Sequence, residues 1–322
     1  MNNAMHFYGK IKRSLNYTVI VMAFCFFCSC NMSIAAKDNS NTGVKPGIKT
    51  VPSKQTQVVT AQEEANLPEE NEDITINDDD MFLKLGDSQI KLHLRRVPKG
   101  SFNMGISEEQ YKDLLRKYDA LAITKDDEII DDTARKVSIE QDYFIGKYEV
   151  SKEQYAQFDP SYDYPEKEKN IPMTNISVEQ ANEFCAWLNK QYENYEIRLP
   201  KEIEWEYAAK GATENTYTWG MDYDKSKANL ESEQLLAVGS KPESDSWVGA
   251  SDMLGNATEM CSIDEVYQRN DEYASVSARG GRYFSDDLNA TTTTRHLLYS
   301  GQRVDVGFRI VAIPLEPESN DE

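Results

Sequence analysis

Three serines each stand three residues ahead of a glutamine, Ser107 with Gln110, Ser151 with Gln154 and Ser177 with Gln180, and this spacing constrains the fold more than any other feature of the chain. In such a capping box the serine hydroxyl and the glutamine side-chain oxygen accept backbone N–H groups that a helix start leaves unpaired, so three helix starts are fixed. The first predicts a helix from Glu108 to about Leu121. The third leads into Val178, Ala181, Phe184, Cys185 and Leu188, which share one face as packing on a sheet requires. A fourth helix is predicted from Pro200, at its first position, to a stop at Gly211. Residues 89–97 alternate apolar and polar, the signature of a strand with one buried face. Residues 212–278 are turn-rich, and the four threonines at 291–294 form a short β-prone run. The fold class is a mixed, irregular α/β domain of short strands and a few helices.

The remaining segments bound what surrounds this domain. The 322 residues are 39% apolar, enough for a substantial core. Lys10, Lys12 and Arg13 precede an apolar run from Val19 to Cys28 that is too short to span a bilayer comfortably, so residues 1–30 read as a signal peptide; a short retained anchor is the other reading. Phe27-Cys28-Ser29-Cys30 resembles a lipobox, and cleavage there would leave Cys30 as a diacylated N-terminus facing away from the cytoplasm. Phe27 stands where leucine is usual, so a signal-peptidase cut near Ala35 or Ala36, giving a secreted protein, stays open. Residues 31–80 carry ten acids against four lysines and read as a disordered acidic tether, 81–314 as the folded domain and 315–322 as an acidic tail. A formal charge of −20 repels phosphate, which argues against nucleic acid as a partner and leaves membrane attachment to the lipid.

Few catalytic constellations are present. The sequence contains no GxSxG, GxxxxGK[ST], HExxH or strand-following GxGxxG pattern. Outside the signal region the cysteines are Cys185 and Cys261 and the histidines His93 and His296, too few for a three-histidine metal site. The two cysteines are consistent with a disulfide or with two buried thiols. Asp252 and Glu259 flank a Gly255-Asn256 turn, a spacing that either converges hard oxygen donors suited to Ca²⁺ or merely solvates two acids on a β-turn. Glu202, Glu204 and Glu206 follow a predicted helix start, where acids are stabilised by unpaired amides, so a structural role is assigned to them.

Taken in order, VPKGSFNMG (97–105), YFIGKYEVSKEQYAQF (143–158), IPMTNISVEQANEFCAWLNK (171–190), RLPKEIEWEYAAKG (198–211), YTWG (217–220), DMLGNATEM (252–260), ARGGRYF (278–284) and GFRIV (307–311) resemble the formylglycine-generating enzyme, or sulfatase-modifying factor, family over about residues 90–313. The resemblance implies a single domain of C-type-lectin-like topology with little regular secondary structure and bound calcium. Its calcium ligands map to the side chains of Asp252 and Glu259 and the carbonyls of Gly255 and Ala257, with a second site matched in part by Asn229 and Leu230.

The family's activity is oxidation of a cysteine to formylglycine, with copper held by two thiolates just after the Arg279-Gly280-Gly281 turn. Alignment on that turn puts Ser285 and Ala290 at those positions, so copper is not expected: a hydroxyl and a methyl group cannot hold Cu(I). The histidine triad of the iron-dependent relatives is equally missing. Where the family usually carries aromatics, this chain has Ser251, Thr258 and Met260, and the segment 106–135 is longer than the usual connection. These features point to a non-catalytic, calcium-stabilised lipoprotein domain, a pseudoenzyme that binds an envelope or secreted protein through a surface including Asp286, Asp287, Asn289 and Thr258. Two alternatives stay open: an oxidase that generates formylglycine in a secreted sulfatase, and a lectin-like glycan-binding module.

Overall fold

The computed structural model describes residues 73–117, 134–263, 276–298 and 306–316, all within one compact unit of residues 65–322. The signal segment with Cys30, most of the tether, residues 118–133 of the long insertion and the tail beyond 316 lie outside the described residues.

The described residues reach back into the expected tether. Strand β1 (Ile74–Asn77) pairs antiparallel with β2 (Asp80–Lys84) across a turn at Asp78-Asp79. Asp78 takes φ 48°, a left-handed conformation that aspartate tolerates better than most residues. The acids read as solvated therefore make a hairpin, because Ile74 packs against the core and Asp80 accepts from Arg95 Nη1 at 2.7 Å and pairs with His93. Residues 74–80, expected in the tether, therefore belong to the folded sheet.

The hairpin continues into β3 (Lys91–Val97), where Leu92, Leu94 and Val97 turn inward, two residues shorter than the alternating pattern. Next to it lies β6 (Tyr143–Gly146), paired on both edges and buried at every residue, with Phe144 in one core cluster and Tyr143 and Ile145 in another. The C-terminal strand β12 (Val311–Pro314) inserts between β6 and β7 (Tyr195–Arg198), giving a six-stranded sheet of order β1-β2-β3-β6-β12-β7. A second sheet of order β10-β9-β8-β11 holds β8 (Thr258–Ser262), β9 (Val276–Arg279), β10 (Arg295–Leu298) and the short β11 (Val306–Gly307), which runs parallel to β8. β4 (Gly100–Met104) and β5 (Arg135–Ile139) form a separate hairpin pair.

All three serine caps form. Ser107 Oγ accepts from Gln110 N at 3.2 Å to start α1 (Glu108–Lys117), and Ser151 and Ser177 close full boxes at α2 (Lys152–Phe158) and α3 (Val178–Asn189). Phe184 of α3 sits in an aromatic cluster, its ring 5.5 Å from Phe308 and 6.0 Å from Tyr155. The last helix, α4 (Glu202–Lys210), starts two residues later than Pro200. Lys201 is still extended, and the Glu204 carboxylate accepts its backbone N–H at 2.8 Å, which sets the start there. Gly211, at φ 63°, ends the helix as expected. The three glutamates are structural, through guanidinium and ammonium partners: Glu202 accepts from Arg295 at 2.6 Å, Glu204 from Arg198 at 2.7 Å, and Glu206 meets Lys210 at 2.8 Å and Arg279 at 3.1 Å. The threonine run makes a turn, closed by Thr294 N donating to Thr291 Oγ1 at 3.0 Å, and β10 begins only at Arg295.

Candidate functional site

Arg279 ends β9 and Gly280-Gly281 reverses the chain, both glycines in the left-handed region at φ 89° and 70°. The loop that follows folds on itself. Ser285 is buried, its Oγ accepts the Arg282 N–H at 3.0 Å and its carbonyl accepts the Glu231 N–H at 3.2 Å. Ala290 is fully buried and packs with Ala228 and Leu230, flanked by Trp219 and Tyr223. The position matched to the second thiolate thus carries a methyl group inside a small apolar core.

Of the four residues expected on a binding surface, only Asp286 is exposed; Asp287 and Asn289 are half-buried. Asn289 donates to the Asp286 carboxylate from its side chain (2.7 Å) and backbone (3.1 Å), and the Asp287 carbonyl accepts from the Tyr217 hydroxyl at 3.0 Å. Thr258 is buried, because β8 is an inner strand paired with β9 on one edge and β11 on the other. Sequence reasoning also passed over Phe284, 49% exposed, with the Arg282 guanidinium 4.6 Å over its ring and Tyr283 edge-on at 4.9 Å. An aromatic beside an arginine in a loop was the only available signal.

The turn also braces the 252–259 loop. Gly255 N donates to the Gly280 carbonyl at 2.9 Å, Tyr283 N to the Asn256 carbonyl at 2.8 Å, and Asn256 N to the Asn229 carbonyl at 3.0 Å. Asp252, Gly255 and Asn256 all take positive φ (55°, 80° and 51°), and a Cβ on Gly255 would lie 2.5 Å from the Asn229 carbonyl oxygen. Three segments distant in sequence are zipped together here, and the two matched calcium segments become neighbours.

Their side chains are not equally free. Glu259 is saturated: Arg309 Nη2 donates to one oxygen at 2.5 Å, and Arg309 Nε at 2.5 Å and Trp205 Nε1 at 2.7 Å donate to the other. Asp252 accepts the Gly239 N–H at 2.6 Å. Asn229 is held internally: its Oδ1 accepts from Ser232 Oγ at 2.7 Å, and its Nδ2 donates to Asn256 Oδ1 at 2.9 Å and to the Gln234 carbonyl at 3.1 Å. A third carboxylate joins Asp252 and Glu259. Glu149 is 1% exposed; its Oε1 accepts from Asn256 Nδ2 at 3.1 Å and Ala257 N at 3.3 Å, and its Oε2 has no hydrogen-bond partner. Burial, then the nearby charges of Asp252 and Glu259, hold the Glu149 carboxyl well above the usual carboxylate range. Among the described residues no three acidic, histidine or cysteine side chains form a ready-made metal centre.

Both domain cysteines are free and buried, Cys185 on the inner face of α3 and Cys261 in the core around Trp205. Burial pushes Cys185 up to about 12 and Cys261 well above the ordinary thiol value, so neither forms the thiolate that copper or an electrophile requires. Iodoacetamide applied to the native protein at about pH 8 should leave the Cys185 and Cys261 peptides unlabelled, and denaturant should expose both, as read by mass spectrometry. Native labelling of either peptide would contradict their burial.

The sequence profile of the Sulfatase-modifying factor enzyme 1-like domain matches residues 91–313, and the chain belongs to this family. Curated relatives match over shorter stretches. The Serine/threonine-protein kinase Pkn1 of Chlamydia trachomatis serovar L2 is 37% identical over 91 residues, 28% of this chain and 13% of the kinase. The Inactive C-alpha-formylglycine-generating enzyme 2 of Bos taurus is 37% identical over 61 residues, 19% of this chain and 18% of that protein. The matched stretches thus span under a fifth of either relative. Solved structures match across the whole domain. Treponema denticola variable protein 1 superposes with a TM-score of 0.56 at 19% identity, covering 73% of this chain and 99% of its own. PvdO from Pseudomonas aeruginosa gives 0.53 at 18% identity, covering 70% and 96%. The fold is that of formylglycine-generating enzymes: a sheet-rich, mixed α/β domain with few helices.

Proposed function

We propose that this domain is a non-catalytic binding component, held on the extracytoplasmic side of a membrane by a lipid on Cys30 and engaging an envelope or secreted protein. One observation carries the reading: the two positions matched to the copper thiolates are Ser285, whose hydroxyl is tied to Arg282 N, and Ala290, whose methyl is packed inside an apolar core. Neither supplies a soft ligand for Cu(I), and the chain's two domain thiols are buried in separate clusters. The likeness to a relative named as inactive supports the same reading. Phe284 and Arg282, an exposed aromatic and a cation on one loop, are the kind of pair that dominates protein interfaces.

Purified protein given copper, oxygen and a cysteine-containing sulfatase peptide should yield no formylglycine by mass spectrometry; catalytic conversion would overturn the reading. On cells, crosslinking should recover a specific envelope or secreted protein, and Phe284→Ala should reduce its yield about tenfold without changing the melting temperature. Equal recovery with Phe284→Ala would remove this loop from the interface.

A further inference from the structure

A cavity of about 240 Å³ opens between α2 and the segment that leads into α3. Backbone bonds build its wall: Lys152 N donates to the Ile171 carbonyl at 3.0 Å, Glu153 N to the Lys169 carbonyl at 3.0 Å, and Met173 N to the Val150 carbonyl at 2.7 Å. Asn175, at φ 61°, turns the chain toward the Ser177 cap. Met173, Ile176 and the Tyr155 ring belong to the core and line the cavity, as does Tyr162, packed edge to face on Tyr155 at 5.6 Å.

Two hydroxyls of this lining have no partner in the chain. Tyr155 is 2% exposed and Thr174 8%, yet no hydrogen bond among the described residues reaches either hydroxyl. On residues so buried, an unmet hydroxyl is costly unless whatever fills the cavity satisfies it. Asp159 lines the same space; its Oδ1 accepts the Ser161 hydroxyl at 2.6 Å and N–H at 3.0 Å, and no cation among the described residues pairs with it. Lys152 also lines the cavity, but its ammonium is bound to Glu168 at 2.5 Å, and it lies two turns of α2 from Asp159, about 10 Å along the axis. The start of α3 is already capped, since the Ser177 hydroxyl accepts Gln180 N. Burial, then the negative charges of Asp159 and Glu183, hold the Tyr155 hydroxyl above the ordinary tyrosine range, so it stays protonated in a negative field.

We propose that this cavity binds an organic ammonium ion, with the Asp159 carboxylate as counter-charge and the Tyr155 and Thr174 hydroxyl oxygens as its other acceptors. An ammonium has three donors and no acceptor, and these groups match it in number. The tyrosine rings attract a cation, and Met173 and Ile176 cover the carbon chain behind it. The formal charge of −20 on the chain draws cations toward such a site. Ammonium binding is independent of the reading of Ser285 and Ala290, and either stands if the other fails.

The test titrates the full chain in detergent with n-butylammonium, a free amine, and with Nα-acetyl-lysine amide, a peptide-borne one, and reads binding by saturation-transfer NMR. At least one should bind saturably, and the tighter of the two identifies the source. Nα-acetyl-norleucine amide, which keeps the carbon chain without the ammonium, should not bind. Asp159→Asn should weaken binding at least about tenfold, and Tyr155→Phe and Thr174→Val about three- to tenfold each. Glu243→Gln, at an exposed acid outside the lining, should leave binding unchanged. Tyr155→Phe should melt at the wild-type temperature, because its hydroxyl gives up no bond within the protein. A lower melting temperature would place that hydroxyl in the fold instead. Saturable binding of neither amine would leave the cavity to water alone, binding of methyl glucoside with neither amine would make it a polyol site, and Asp159→Asn binding as tightly as wild type would remove the counter-charge; each of these four results overturns the proposal.

Discussion

Arg309→Met is expected to lower the unfolding free energy by about 3–5 kcal/mol, a drop in melting temperature on the order of 10 °C for a domain of this size. The methionine fills much of the volume but leaves Glu259, which is fully buried, with only the Trp205 N–H. It also frees the carbonyls of Gly146, Lys147 and Ser251, which Arg309 joins across three segments. Neutralising the partner as well, in Arg309→Met/Glu259→Gln, should recover part of the loss, since a buried amide costs less to leave half-paired than a buried carboxylate. Thermal melts of the two variants decide it. If the single variant costs less than about 1 kcal/mol, or the double variant melts below the single, the pair is not what joins the C-terminal segment to the 252–259 loop.

Gly280→Ala should be the second severe change, at about 2–4 kcal/mol. Gly280 sits at φ 89°, where an alanine is strained, and its Cβ would lie 2.5 Å from the Met253 carbonyl oxygen and 3.1 Å from the Trp205 ring. Gly220, at φ 137°, offers a comparison because nothing lies within 4 Å of its Cβ position. Gly220→Ala keeps the strain without the collision and should cost less by about 1–3 kcal/mol in denaturant melts. Equal costs would show that backbone strain alone is at stake. The Arg279-Gly280-Gly281 turn is in this respect a brace: its carbonyl holds Gly255, and its tight approach to Met253 leaves no room for a side chain.

The sequence is most legible where the deciding interactions are local. The Ser107, Ser151 and Ser177 caps each depend on a residue three positions away, so spacing alone locates them. Leu92 and Leu94 announce β3 because one strand's alternation is visible without its neighbours. Reading fails where the partner is remote. Asp78 to Asp80 look solvated until Arg95 and His93 are placed beside Asp80, fifteen and thirteen residues on. Thr258 looks like a surface residue until β11, almost fifty residues later, pairs with it. Glu149, inside a motif that mainly marks a helix start, gives no sign that its carboxylate meets a loop more than a hundred residues away. The candidate site is built of such long-range pairs. Its residue types could be named from sequence, whereas the saturation of Glu259 by Arg309 and Trp205 required the fold.

The position of β12 carries a consequence for how the chain acquires this fold. Val311–Pro314, the last strand described, is not at an edge but lies between β6 and β7, strands that begin at 143 and 195. Arg309, two residues before it, supplies the guanidinium that closes the buried cluster. Until residues 309–314 have emerged, β6 and β7 each expose an unpaired edge, and the loop-closure entropy of joining them through a strand more than a hundred residues downstream must be met in one step. A chain synthesised from its N-terminus would thus hold β1-β2-β3-β6 as a partial sheet, and β7 would join it only once residues 309–314 are available.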